Sequence, residues 1–411
     1  MRITNNMLTN TFLRDLYYNN QRTARVQNQI ATGRIVNNPS EDPLVSDQVL
    51  GLNLQISRAA QYLRNGAAGS SYLSLADSSL GDVNNMAVSA RTLAVQMAND
   101  TVNASMRAGG AQEVQQLLEQ SVEVANRRFR GRFIFGGLQT TQAPFELTAD
   151  GVLYRGDMGH INLRMSDSSL NQINVNGADA FGAFNARVMG TVDLAPALTP
   201  LTRLADLPID AASGFTISNS AAGTPVTITM PAGGTVQDLL TEINNSAANV
   251  YAEIAADGKR LNIYSRLSGP TMTITENLNP FPPPVNGTTA ADLGIDTAGV
   301  RADNVFTSLM DLRDALNAND GQAVAATIGQ LDTASDQLLR ARAEVGARVQ
   351  RFEATNSRQD DAKYNLTKLL SEANDADYSK TIVEFQQLQN VLEASLRMGA
   401  QMLPLSLADF L

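Results

Sequence analysis

The sequence predicts a mainly α protein. It is read as a long antiparallel helical-rod bundle with paired terminal coiled-coil helices, a small β-hairpin region and an α+β insert domain. Three observations predict this. The last stretch of the chain holds an apolar heptad seam. Two long inner stretches, 45–97 and 324–370, keep the same 4/3 spacing. Between them the composition turns to Pro, Gly, Ser and Thr, with short alternating runs of strand type.

The seam at the end of the chain starts at Tyr378 and continues through Ile382, Phe385, Gln389, Leu392, Leu396, Gly399 and Leu403. Leu388, Val391, Met398 and Met402 run beside it, so the apolar face is wider than a two-stranded seam needs. A helix of about 26 residues is roughly 40 Å long and cannot leave such a face wet. The start of the chain offers a match in Leu8, Phe12, Leu16, Thr23, Val26 and Ile30. Residues 1–40 carry five arginines and one aspartate, whereas 375–411 carry five acidic and two basic residues. The two ends are therefore expected to pair as antiparallel helices. The plainer alternative is an ordinary surface helix pair.

Between the ends, Gly33 suits a left-handed helix end, 37–42 a loop, and Asp42–Pro43 a capped helix start. The first rod follows through Val45, Val49, Leu52, Ile56, Ala59 and Leu63. After a slip near Ser70 it resumes through Leu73, Ala76, Leu80, Val83, Ala87, Ala90, Ala94 and Met97. A turn near 99–110 leads to a helix over about 111–128, with Gly109–Gly110 as an alternative break inside it. GRFIFGG (131–137) reads as a strand, and GVLYRGD, HINLRMS and QINVNG read as hairpin strands.

The insert carries the runs GFTISN, PVTITM, YAEIAADGKRLNIYS and TMTITE, and a helix capped by Thr235. Phe281–Pro284 reads as a loop. With ten acidic and four basic residues over 191–300, the insert is strongly acidic. A helix from about Asp303 uses Val305, Leu309, Leu312 and Leu316 and ends at 317–321. Gly321 sits like the glycine of a calcium loop, but Leu316, Ala318 and Thr327 occupy ligand positions, which excludes calcium there. The second rod has a polar middle, Asn356 to Lys363, read as a register device or a solvated patch. The expected divisions are 1–38 with 375–411, 39–190 with 300–374, and 191–299.

The net charge of −10 argues against a nucleic-acid or anionic-membrane binder. Cysteine is absent, which excludes disulfides and thiolate chemistry. The only histidine, His160, opens a strand and reads as a surface polar residue. No run of 18 apolar residues occurs, so no membrane insertion is expected. The start MRITNNMLTNTFLRDL lacks the apolar core of a cleaved leader. No nucleotide-binding, zinc-protease, hydrolase or kinase motif is present, and no nucleophile stands with a base. No enzyme activity, catalytic residue, cofactor or metal is expected.

MRITNNML, ATGRIVNNPSEDP, FIFGG followed by Thr141, Pro144 and Phe145, YRGD at 154–157, and the ending SLADFL resemble the flagellin-like hook-associated family of the hook–filament junction (FlgL). The resemblance covers about 1–190 and 300–411 and is specific in combination. Pro39 and Pro43 depart from the flagellin pattern after Thr32-Gly33-Arg34-Ile35. TVQDLLTEIN, ADGKRLNI and TAADLGI are similar to insert motifs of flagellins and hook-associated proteins.

The resemblance implies a structural subunit of the bacterial flagellum, secreted without a cleaved signal peptide and extracellular. It implies type III export through the export gate, a dedicated cytosolic export chaperone, and self-assembly into a ring homo-oligomer between the first hook-associated junction protein and the flagellin filament. The implied assembly or chaperone interface is Leu8, Phe12, Leu16, Val26 and Ile30 with Tyr378, Ile382, Phe385, Leu388, Leu392, Leu396 and Leu403. Two other readings stay open: a flagellin filament subunit, and a secreted coiled-coil adhesin or effector.

Overall fold

A computed structural model describes residues 5–210, 213–279 and 285–408. The whole of the expected loop at 281–284 lies outside that set. In chain order the helices are α1 (Asn5–Thr32), α2 (Pro43–Met97), α3 (Ala104–Ala125), α4 (Gly177–Phe181), α5 (Val236–Asn245), α6 (Thr289–Asp292), α7 (Val305–Asn317), α8 (Gly321–Asn374) and α9 (Tyr378–Ala408). The chain divides into two compact units. One comprises 1–64 with 355–411, and the other comprises 65–354.

In the first unit α1 and α9 lie antiparallel, as expected. The Phe12 ring sits over Gly399, Arg22 meets Glu384 at 3.4 Å, and Gly33 lies under the Tyr378 hydroxyl. A short crossing ties the far ends of the pair. The Ile35 amide donates to the Asn374 carbonyl at 2.7 Å, and the Ala376 amide donates to the Gly33 carbonyl at 2.8 Å. Gly33 takes φ +70°, the left-handed conformation that ends a helix most readily with glycine. Asp42 Oδ1 then accepts from the amides of Leu44 and Val45 at 3.1 Å, which caps α2 in front of Pro43.

In the second unit α2 and α8 are also antiparallel. Phe352 fills the space over Gly69, and Arg342 reaches Asp77 at 3.1 Å. The seam read from the sequence is the buried face: Leu73, Ala76, Leu80, Val83, Ala87, Ala90 and Ala94 are all fully covered. Opposite them Val324, Leu331, Leu338, Val345 and Phe352 are equally buried. α3 and α7 pack beside them through Val114, Leu118, Leu309 and Leu312.

Two local expectations fail. α3 starts at Ala104 rather than near 111. Asn103 Oδ1 accepts from the Met106 amide at 2.9 Å, which caps the helix about two turns earlier. Gly110 stays inside it because Met97 and Leu316 close over the bare backbone. The Arg107 guanidinium then locks the turn, donating to the carbonyls of Met97, Asn99 and Asn319. The second failure is at 131–137, where only Arg132–Phe133 is strand, paired with Arg128–Phe129 (β2 and β1). Ile134 onward turns inward because three apolar side chains in a row cannot alternate across a ribbon with one wet face.

The hairpin region continues with β3 (Phe145–Thr148), β4 (Gly151–Tyr154), β5 (Asn162–Arg164) and β6 (Leu170–Gln172). His160 is exposed, as expected, and sits 2.8 Å from Gln172. The insert comprises β7 (Arg187–Met189), β8 (Phe215–Ser218), β9 (Pro225–Ile228), β10 (Val250–Ile254), β11 (Leu261–Ser265), β12 (Leu267–Ser268), β13 (Thr271–Glu276), β14 (Leu278–Asn279), β15 (Val285–Asn286) and β16 (Thr297–Arg301). Its sheets run β10-β11-β7 and β16-β13-β8-β9 and enclose a second apolar cluster around Phe215, Ile217, Leu239, Ile243 and Ile263. α5 opens with a full capping box between Thr235 and Asp238. β12 leaves the insert to pair with β4, completing the sheet β12-β4-β3.

Candidate assembly surface

The wide apolar face of α9 resolves into one covered stripe and exposed apolar residues on its two flanks. Thr381, Phe385, Leu388, Leu392, Ser395 and Gly399 repeat at alternating 4 and 3 spacing and are buried or half-buried. This is the stripe against α1, where the matching positions are Phe12, Leu16, Thr23, Val26 and Ile30. It is not the register counted from Tyr378: only Phe385, Leu392 and Gly399 belong to both. Gly399 leaves room for the Phe12 ring, so the inner stripe need not be the most apolar one.

The exposed apolar residues flank this stripe on both sides, with Tyr378, Ile382 and Leu396 on one and Val391 and Met398 on the other. Tyr378, Ile382, Val383, Val391, Leu396 and Met398 keep between 43 and 54 % of their surface exposed. On α1, Leu13, Tyr17 and Tyr18 are more than half exposed. Leu44, Leu50 and Leu54 on α2, and Tyr364 and Leu369 on α8, extend the exposed apolar surface of this unit. Of the residues singled out in the sequence, Val26 and Leu388 are buried in the pair, and Phe12, Leu16, Ile30, Phe385 and Leu392 are half-buried. Tyr378, Ile382 and Leu396 are exposed. The side chains of Leu8 and Leu403 lie outside the described residues.

The motifs behind the resemblance in the second unit have another task. The Tyr154 hydroxyl donates toward the carbonyls of Phe135, at 2.9 Å, and Asp157, at 3.1 Å, and accepts from the Gly177 amide at 3.0 Å. Asp157 Oδ1 accepts from the amides of Leu138 and Gly159. Gly137, at φ +68°, leaves room for that carboxylate: a Cβ there would overlap it. FIFGG and YRGD are thus two halves of one joint, closed by the rings of Phe135, Phe145, Phe181 and Phe306. Sequence inspection quoted both motifs without placing them together.

Electrostatics here stabilises local structure. Burial pushes the Tyr154 phenol far above its ordinary range, so it stays protonated and donating. Burial, aided by Glu344, also raises the Asp179 carboxyl. The Asn37 amide, with help from Asn38, holds Glu41 below the usual carboxylate range. Among the described residues no helix is long and apolar enough to cross a membrane.

Three family models match the chain. The bacterial flagellin N-terminal helical region covers 3–140, the flagellin C-terminal helical region covers 328–411, and the flagellin hook IN motif covers 214–266. The flagellar hook-associated protein 3 of Salmonella typhimurium is 26 % identical over 194 residues, 47 % of this chain and 61 % of that protein. The flagellar hook-associated protein 3 of Escherichia coli is 26 % identical over 267 residues, 64 % of this chain and 80 % of that protein. A solved flagellar hook-associated protein-3 from Legionella pneumophila aligns over 78 % of this chain and 97 % of its own, at 18 % identity and a TM-score of 0.46.

The two helical models fall on the paired ends and the rods, and the third falls on the insert. The chain belongs to the flagellin-like family of flagellar structural proteins that includes hook-associated protein 3, and it is not an enzyme.

Proposed function

We propose that this chain is a structural subunit of the bacterial flagellum, outside the cell, at the junction between the first hook-associated protein and the flagellin filament. It self-assembles into a ring through its terminal helices. Residues 1–38 with 375–411 form the assembling part, 39–190 with 300–374 the rod and its hairpins, and 191–299 the exposed insert. Before assembly it passes the type III export gate, accompanied by an export chaperone that covers the apolar face of α9.

The observation that carries this reading is that exposed apolar residues flank the α1 contact of α9 on both sides, Tyr378, Ile382 and Leu396 on one and Val391 and Met398 on the other. Covering the remaining half of about six such side chains contributes on the order of 5 kcal/mol. The loss of free motion on association costs roughly 4–15 kcal/mol. One such contact is therefore weak alone, and a subunit held by neighbours on two sides is stable. A closed ring meets that condition.

Leu396→Asp tests it. Leu396 faces outward, so the purified variant keeps its helicity, while cells carrying it lose filaments and swimming. Swimming cells with this substitution would overturn the proposal. The flagellin descriptions of the matching families favour one other reading, a filament subunit. A strain lacking the chain that still releases a filament protein into the medium supports the junction. A strain that releases none supports the filament reading.

A further inference from the structure

The β1–β2 hairpin carries a basic cluster that the chain itself leaves unanswered. Arg128, Arg130 and Arg132 are exposed at its tip. Elsewhere in the same unit Arg91, Arg127, Arg155, Arg301, Arg342 and Arg348 each hold a carboxylate. Among the described residues the three hairpin guanidinium groups hold none. Yet the chain has 41 acidic residues to 31 Lys and Arg, so carboxylates are not scarce.

Two of the three heads are also held in place. Arg128 stacks over Phe133 at 4.2 Å and Arg130 over Phe129 at 5.2 Å. Phe133 is buried, and Phe129 packs edge-on against Tyr72. The two-residue loop is of the primed type, with Arg130 at φ +50° and Gly131 at φ +82°. Asn, Asp or Gly takes the first of these positions at less cost than arginine. An arginine kept there against that preference points to a use for its charge.

The complementary surface is the adjoining helix. Glu113, Gln116, Gln120 and Glu123 recur along the exposed face of α3, with Glu119 beside them and no basic residue on that face. Glu113 and Glu123 have no partner among the described residues, and Glu119 accepts only from Gln115. Arg313, which touches Gln115 at the edge of this face, is already engaged by Asp314. A hairpin cannot fold back onto the outer face of the helix that leads into it through two residues. A second copy meets no such limit.

We infer that the arginine hairpin of one copy docks on the glutamate–glutamine face of α3 of a second copy, a polar contact independent of the exposed apolar residues on α9. Guanidinium groups already stacked on rings lose little freedom on meeting carboxylates, so the contact sets orientation and register more than raw affinity.

Two triple variants of the full chain test this. In one, Arg128, Arg130 and Arg132 become Glu; in the other, Glu113, Glu119 and Glu123 become Lys. Both carry Leu396→Asp, so that the apolar flank it belongs to does not contribute. Sedimentation at low salt is expected to show self-association of the Leu396→Asp parent, weakening about tenfold or more as salt screens it. Each triple variant alone stays monomeric, because its two patches then repel. An equimolar mixture associates again, since each variant supplies the patch that the other lacks. Circular dichroism melts matching the parent establish that both variants fold. A parent that is monomeric at low salt, a hairpin variant that associates as the parent does, or a mixture that fails to recover overturns the inference.

Discussion

Removing one hydroxyl shows how tightly the FIFGG and YRGD segments depend on each other. Tyr154→Phe keeps the ring among Phe145, Phe184 and Gly177 but leaves the Asp157 carbonyl without its donor, while the Phe135 carbonyl and the Gly177 amide keep only their own 2.8 Å bond. Buried polar groups left without partners cost about 1–3 kcal/mol, so the second unit should melt several degrees earlier in calorimetry. Glu41 gives a pH signature. Its oxygens accept from the Asn37 amide and the Asn38 side chain, which holds its pKa below the usual 4.5. A carboxyl lowered on folding contributes stability that is present above 4.5 and lost as pH falls through the lower folded value. Below pH 4.5 the Asn37 amide should therefore exchange with solvent faster, and Glu41→Gln should remove that pH dependence.

The covered stripe and the exposed flanks of α9 make opposite predictions for similar substitutions. Leu388 is buried against α1, and an aspartate there places a charge in the seam. Leu388→Asp should separate α1 from α9, seen as lost helicity and rapid proteolysis of both ends. Leu396→Asp should leave both unchanged in the same assays, since that side chain is 53 % exposed. Equal damage from the two would mean that stripe and flank are not distinct. The strands of the insert act in the same way at their own scale. Because β12 pairs with β4, trimming the insert back through Leu267 and Ser268 removes a strand from the hairpin region as well.

At the scale of the molecule, the two units hold very different cores. Among the described residues of the first unit only Val26, Val36, Ala59 and Leu388 are apolar and buried, whereas the second holds two large clusters. Stability follows buried apolar area, so unfolding should occur in two steps. The first step should lose the helical signal of the chain ends while Phe and Tyr signals of the second unit persist. A single cooperative transition would show that the first unit draws its stability from elsewhere.

Much of this architecture was legible in the chain. The Leu73–Ala94 seam, the Asp42–Pro43 and Thr235 caps, the Gly33 helix end and the pairing of the termini follow from periodicity and local backbone chemistry, which act over a few residues. The sequence by itself determined where the long helices run, which faces are apolar and that the ends match. Only the tertiary structure decided which of two overlapping heptad registers on α9 faces α1, because both are apolar enough and the choice rests on contacts across the pair such as the Phe12 ring over Gly399. It also decided that Phe135 and Asp157 meet at Tyr154, and that three arginines of one hairpin find no carboxylate, since such pairings depend on three-dimensional neighbours that no local spacing records.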